Sequence, residues 1–81
     1  MKNRILLVDD SEELLSELET FLSSRGFEVV GKATDGERAI ELAELVKPDI
    51  MVLDLVMPKM DGFAVLEKVD RSNMRVLVLS A

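Results

Sequence analysis

The feature that most constrains the fold of this chain is an unbroken apolar run that ends in an acid. Residues 50–53 are apolar at every position, and Asp54 follows them directly. Because side chains alternate between the two faces of a strand, such a run predicts a strand covered on both faces, as in a parallel sheet. An unpaired carboxylate is costly to bury, so Asp54 should lie where the strand leaves the core and should meet a cation or hydrogen-bond donors.

Three further segments predict strands, and helical patterns separate them. Besides the strand that ends at Asp54, strands are predicted at residues 4–8, 27–31 and 75–80. The helices are predicted to begin with Asp10 or Ser11 as N-cap, after a Thr34–Glu37 capping box, and at Gly62. Because every crossover is long enough for a helix, we expect a doubly wound α/β domain with a parallel sheet.

The apolar positions of each predicted helix indicate which side chains reach the sheet. The inward set is Leu14, Leu18, Phe21 and Leu22 in the first helix; Ala39, Ile40, Ala43 and Val46 in the second; and Phe63, Leu66 and either Val65 or Val69 in the third.

Composition limits the class of protein and its partners. The chain has 81 residues, no cysteine and a net charge of −6. This length allows one domain, and the missing cysteines exclude disulfides and thiolate metal sites and favour a cytoplasmic location. No apolar run is long enough to suggest a membrane span, and the acidic balance argues against direct binding of nucleic acid.

Polar residues end three of the predicted strands. They are Asp9, Asp10, Asp54 and Ser80. Since the carboxyl ends of parallel strands lie along one rim, we expect three carboxylates and a hydroxyl to converge there. Crowded carboxylates repel unless a hard cation lies among them, and Mg2+ prefers oxygen ligands, so the rim is predicted to be a magnesium and phosphoryl site.

Several ordered motifs resemble the receiver domain of two-component response regulators, over essentially the whole chain. They are Leu-Val-Asp9-Asp10, Asp54 followed by Met57-Pro58 and Met60-Asp61-Gly62, and Leu-Ser80-Ala81. The resemblance implies a flavodoxin-like sheet with strand order 2-1-3-4. It implies a signalling protein, not an enzyme.

The resemblance also implies a role for each site residue. Asp54 would be the phosphoacceptor, supplied by a sensor histidine kinase or by a small donor such as acetyl phosphate. Asp10, Asp54 and the backbone carbonyl of Val56 would ligate Mg2+, and Asp9 would hold metal-bound water. Ser80 would bond a phosphoryl oxygen on activation.

Receiver domains continue beyond this hydroxyl, whereas the sequence stops at Ala81. A fourth helix, a fifth strand with a lysine at its carboxyl end, and a fifth helix would follow. We therefore expect residues 1–81 to be a partial receiver domain whose switching is compromised. The apolar fourth strand would form an exposed edge, so we expect a homodimer or higher oligomer, joined through residues 76–79 or by exchange of elements.

Two other functions are considered beside phosphoryl acceptance. The chain could be a non-signalling, truncated or engineered fragment that acts as a homo-oligomeric assembly module. A metal-dependent phosphatase with an aspartyl intermediate is less favoured, because such enzymes usually carry a second acid two residues after the nucleophile, where this chain has Val56. A dinucleotide-binding role lacks its Gly-x-Gly-x-x-Gly motif after the first strand.

Overall fold

The computed structural model describes residues 3–55, 57 and 61–79. They form a four-stranded parallel sheet with strand order 2-1-3-4 and three crossover helices, which confirms the predicted flavodoxin-like fold. The elements are β1 (Arg4–Val8), α1 (Glu12–Ser24), β2 (Glu28–Ala33), α2 (Gly36–Val46), β3 (Ile50–Asp54), α3 (Gly62–Lys68) and β4 (Arg75–Leu79).

The two inner strands, β1 and β3, are buried on both faces, as their unbroken apolar runs predict. Leu6 and Val8 of β1 point to the face that α2 and α3 cover, whereas Ile5 and Leu7 point to the face that α1 covers. In β3, Met51 and Leu53 face α2 and α3, and Val52 faces α1. The sheet therefore separates two apolar clusters.

Helix α1 begins one residue after Ser11, whose side chain accepts a hydrogen bond from the Leu14 backbone N–H at 3.1 Å. This start places Leu15 in the core, where Leu14 was predicted. The prediction for Phe21 was wrong, because its side chain is 53% exposed and the Arg25 guanidinium lies 4.8 Å from its ring centroid. The i, i+3, i+7 stripe that starts at Leu15 leaves Phe21 off the contact face.

Helix α2 uses Asp35 as its N-cap, not the predicted Thr34. The Asp35 carboxylate accepts a hydrogen bond from the Arg38 backbone N–H at 2.9 Å. The helix buries Ala39 and Leu42 against the sheet and ends at Val46. Its C-cap, Lys47, adopts a left-handed conformation with φ 46°.

Helix α3 has seven residues and packs through Val65, with Val69 just beyond its end also buried. The inward prediction for Phe63 was wrong, since its side chain is 62% exposed. Among the described strands, β4 pairs only with β3, and its Leu77 and Val78 are 58% and 41% exposed. In the part of the chain that the structure describes, no helix has the length and apolar character needed to cross a membrane.

Candidate metal centre

Strands β1 and β3 bring three carboxylates together at the carboxyl end of the sheet. These strands pair in register up to Val8 and Leu53, so the residues that follow, Asp9 and Asp54, lie side by side. Asp9, Asp10 and Asp54 each offer one carboxylate oxygen, and these three oxygens all lie within 4.8 Å of one another. The predicted convergence of the three acids is therefore observed.

Asp9 is the most tightly held of the three carboxylates. Its backbone N–H donates to the Ala33 carbonyl of β2 at 3.1 Å, and its Oδ1 accepts from the Ser11 backbone N–H at 2.9 Å. The side chain is 6% exposed. Asp9 is thus fixed between the end of β2 and the start of α1, in a position where its charge is poorly solvated.

The environment of Asp9 raises the pKa of its carboxyl above the ordinary value. Burial is the largest cause, because desolvation disfavours the charged form. The hydrogen bond from the Ser11 N–H lowers the pKa, whereas the nearby Asp54 and Asp10 raise it further. The rim is therefore a place where negative charge is crowded and where a cation would relieve the repulsion.

Asp10 and Asp54 differ from Asp9 in exposure. Asp10 is exposed and Asp54 is half-buried at the last position of β3. A half-buried carboxylate at a strand end can be reached by an external group while its backbone stays in the sheet. Two other predicted site residues, Val56 and Ser80, lie outside the described residues.

The segment after Asp54 folds back closely onto the strand end. The Gly62 backbone N–H donates to the Leu55 carbonyl oxygen. Asp61 is the N-cap of α3, and its Oδ1 accepts from the Ala64 N–H at 2.9 Å. Met57 is buried in the core between these points. The sequence predicts Asp61-Gly62 as a turn, but the contact of Gly62 with the strand end could not be predicted without the tertiary structure.

The donor set of the rim fits Mg2+. Asp9, Asp10 and Asp54 supply oxygen ligands alone, and Mg2+ is held in proteins by one or two carboxylates together with waters and phosphate oxygens. The raised pKa of Asp9 follows in part from the repulsion that a bound cation would offset. These residues can hold a magnesium ion.

A second concavity lies at the opposite end of the sheet. A groove of about 690 Å³ runs between the end of α2 and the segment that links α3 to β4, and it includes Lys47 and Lys68 together with Glu44 and Asp70. Its charges are of both signs, so it selects neither a cation nor an anion. The acidic rim, where the three neighbouring carboxylates carry a single sign of charge, is the better candidate site for a cation.

The chain matches the family model of the response regulator receiver domain over residues 5–81.

Curated relatives agree with this match. The chain is 35% identical over 83 residues to the chemotaxis protein CheY of Thermotoga maritima, covering all of this chain and 69% of CheY. It is 39% identical over 83 residues to the transcriptional regulatory protein PhoP of Bacillus subtilis, covering all of this chain and 34% of PhoP. It is also 39% identical over 79 residues to the transcriptional regulatory protein PdtaR of Mycobacterium tuberculosis, covering 96% of this chain and 38% of PdtaR. The chain therefore spans little more than a third of the two transcriptional regulators.

Solved structures share the fold closely. The CheX-CheY-BeF3-Mg2+ complex from Borrelia burgdorferi matches with a TM-score of 0.89 and 36% identity, over 98% of this chain and 62% of that chain. The response regulator domain of Thermotoga maritima CheB matches with a TM-score of 0.86 and 34% identity, over 99% and 61% of the two chains.

Proposed function

We propose that this chain, which belongs to the response regulator receiver domain family, accepts a phosphoryl group on Asp54 in a two-component phosphorelay. The observation that carries the proposal is the convergence of the Asp9, Asp10 and Asp54 oxygens within 4.8 Å at the carboxyl end of the sheet. The donor would be a sensor histidine kinase or a small molecule such as acetyl phosphate. The phosphorelay would operate in the cytoplasm.

Each acid has a proposed part in holding Mg2+. Asp10 and Asp54 would ligate the ion directly, and the buried Asp9 would hold a water bound to it. By resemblance to the family, the Val56 carbonyl is the third protein ligand and Ser80 donates to a phosphoryl oxygen. The ion would supply positive charge that offsets the charge on the transferred group.

Phosphoryl transfer to Asp54 needs an attacking oxygen and a leaving group in line with it. A carboxylate oxygen of Asp54 forms the new bond to phosphorus as the bond from phosphorus to the donor oxygen breaks. With acetyl phosphate, acetate leaves with the electron pair of that bond and Asp54 becomes an acyl phosphate. Asp54 carries this step because it is half-buried at the strand end, whereas Asp9 is enclosed.

The direct test is the intact mass of the chain after incubation with acetyl phosphate, with and without Mg2+. The expected result is a phosphoryl adduct that requires Mg2+ and is abolished by Asp54→Asn. Asp49→Asn, which removes an equal charge at the opposite end of the sheet, should label like the wild type. A folded wild-type chain that gives no adduct, or an adduct that persists in Asp54→Asn, would contradict the proposal.

A second function, homo-oligomeric assembly, is favoured by the exposure of β4. This outer strand presents Leu77 and Val78, and an open apolar edge can pair with another strand. The proposed assembly joins two or more copies through residues 76–79 or by exchange of elements. Light scattering across a concentration series should detect a mass above that of the monomer, and a folded monomer at every concentration would exclude the assembly.

A further inference from the structure

Gly62, the first residue of α3, lies against the end of β3, where Asp54 is the last residue. The two segments are closer to each other than the start of a helix requires. A Cβ atom added to Gly62 would lie 2.6 Å from the Asp54 carbonyl oxygen and 3.0 Å from the Leu55 carbonyl carbon, and closer still to the Leu55 Cα. These neighbours are backbone atoms, which cannot rotate away as a flexible side chain can. Any larger residue at position 62 must therefore move the backbone at Asp54 and Leu55.

Steric room, and not backbone conformation, is what Gly62 provides. In the described part of the chain, the positive φ values belong to Lys47 and Gly26. Gly62 thus has a φ that residues with a side chain can adopt. An alanine at this position would be compatible with the local backbone and incompatible with its neighbours.

The contact also joins the end of β3 to the start of α3. The Gly62 N–H, at the first residue of α3, donates a hydrogen bond to the carbonyl of Leu55, which directly follows β3. The Asp61 carboxylate caps the same helix start. The backbone at Leu55 is therefore held against the start of α3.

We propose that Gly62 is a positioning residue for the magnesium site. By allowing α3 to approach the strand end, it sets the backbone at Asp54 and Leu55, and so the direction of the Asp54 carboxylate. This inference rests on the proposed function, because it concerns ligands of the same site. Gly62 itself touches neither the ion nor the phosphoryl group.

The test compares Gly62→Ala with Ala64→Gly by titration calorimetry with Mg2+. Ala64 is half-buried in the first turn of the same helix, so its change to glycine weakens the helix start without adding an atom beside Leu55. Gly62→Ala should weaken Mg2+ binding by about 10- to 100-fold, as loss of a residue that orients metal ligands typically does. Ala64→Gly should bind Mg2+ as the wild type does, although urea unfolds both variants more readily.

The outcomes separate this inference from the proposed function. A folded Gly62→Ala chain that binds Mg2+ as tightly as the wild type would overturn the positioning role and leave phosphoryl acceptance in place. A wild-type chain that binds no Mg2+ and gives no phosphoryl adduct would overturn both.

A measurement on the wild type covers the case in which Gly62→Ala does not fold. If the contact between Gly62 and Leu55 holds Asp54 in its binding orientation, Mg2+ must favour the state in which this contact is formed. The Gly62 amide should then exchange its hydrogen more slowly when Mg2+ is bound. The Val69 amide, bonded to the Val65 carbonyl at 3.0 Å near the end of α3, is the reference. Greater slowing at Gly62 than at Val69 supports the positioning role, and equal slowing at both would contradict it.

Discussion

The two ends of the sheet use charged residues in opposite ways. At the amino-terminal end, Asp49 accepts from the Arg4 backbone N–H at 2.9 Å, and the Arg4 guanidinium donates to the Lys47 carbonyl at 2.8 Å. Here the Asp49 carboxylate and the Arg4 guanidinium each have a hydrogen-bond partner. At the carboxyl-terminal end, Asp9, Asp10 and Asp54 place like charges within 4.8 Å of one another.

The amino-terminal contacts stabilise the fold, whereas the acids at the carboxyl-terminal end form the proposed binding site. The amino-terminal contacts join β1 to the start of β3. A further hydrogen bond, from the Arg75 N–H to the Asp49 carbonyl, joins the start of β3 to β4. At the carboxyl-terminal end, the desolvation of Asp9 and its repulsion by the neighbouring acids oppose folding, and a cation would offset that cost. One end of the sheet thus stabilises the strand register, whereas the other carries the proposed magnesium site.

The largest stability effect is expected from Asp9→Asn. The pKa of Asp9 is raised by folding, so stability is full below the ordinary carboxyl pKa and is lost as pH rises through the raised value. Asparagine can keep the bond from the Ser11 N–H without the charge. Without Mg2+ at neutral pH, the variant should be more stable by about 1–2 kcal/mol, which is the scale of repulsion between close, partly screened charges.

Urea unfolding at pH 7 and near pH 3.5 measures the Asp9→Asn effect. The gain should shrink at the acidic pH, where wild-type Asp9 is largely protonated in the folded chain and more than half protonated in the unfolded chain. A variant that is less stable than the wild type at pH 7 would show that the ionised Asp9 carboxylate does not destabilise the folded chain. It would also contradict the proposed difference between the two ends of the sheet.

A smaller effect of opposite sign is expected from Asp49→Ala. The change removes the exposed hydrogen bond to the Arg4 N–H and should cost about 0.5–1.5 kcal/mol, the net worth of a typical hydrogen bond. Urea unfolding of this variant should show the loss equally with and without Mg2+. A loss that depends on Mg2+ would mean that the two ends are coupled.

Most of the fold could be predicted because it depends on local pattern. The unbroken apolar runs of β1 and β3 require two covered faces, and the structure buries Leu6 on one face and Leu7 on the other. Errors arose where hydrophobicity did not fix the helical phase. Phe21 and Phe63 are apolar but exposed, because other apolar residues of the same helices reach the sheet. These residues are Leu15, Leu18 and Leu22 in α1 and Val65 and Leu66 in α3.

The site could be predicted in part for a related reason. Asp9, Asp10 and Asp54 end strands, and a parallel sheet brings such residues to one rim whatever lies between them. The contribution of Gly62 depends on which backbone atoms face it across the loop. No local pattern contains that information, so Asp61-Gly62 was predicted as a turn.

The proposed magnesium site at the acidic rim is best tested by Mg2+ binding isotherms for two charge-matched variants, one from each end of the sheet. Asp54→Asn removes a carboxylate from the acidic rim, and Asp49→Asn removes one from the amino-terminal end. The wild type and Asp49→Asn should bind one Mg2+ with the same affinity, while Asp54→Asn should bind at least about tenfold more weakly. No binding by the wild type, or an equal loss in both variants, would contradict a magnesium site at the acidic rim.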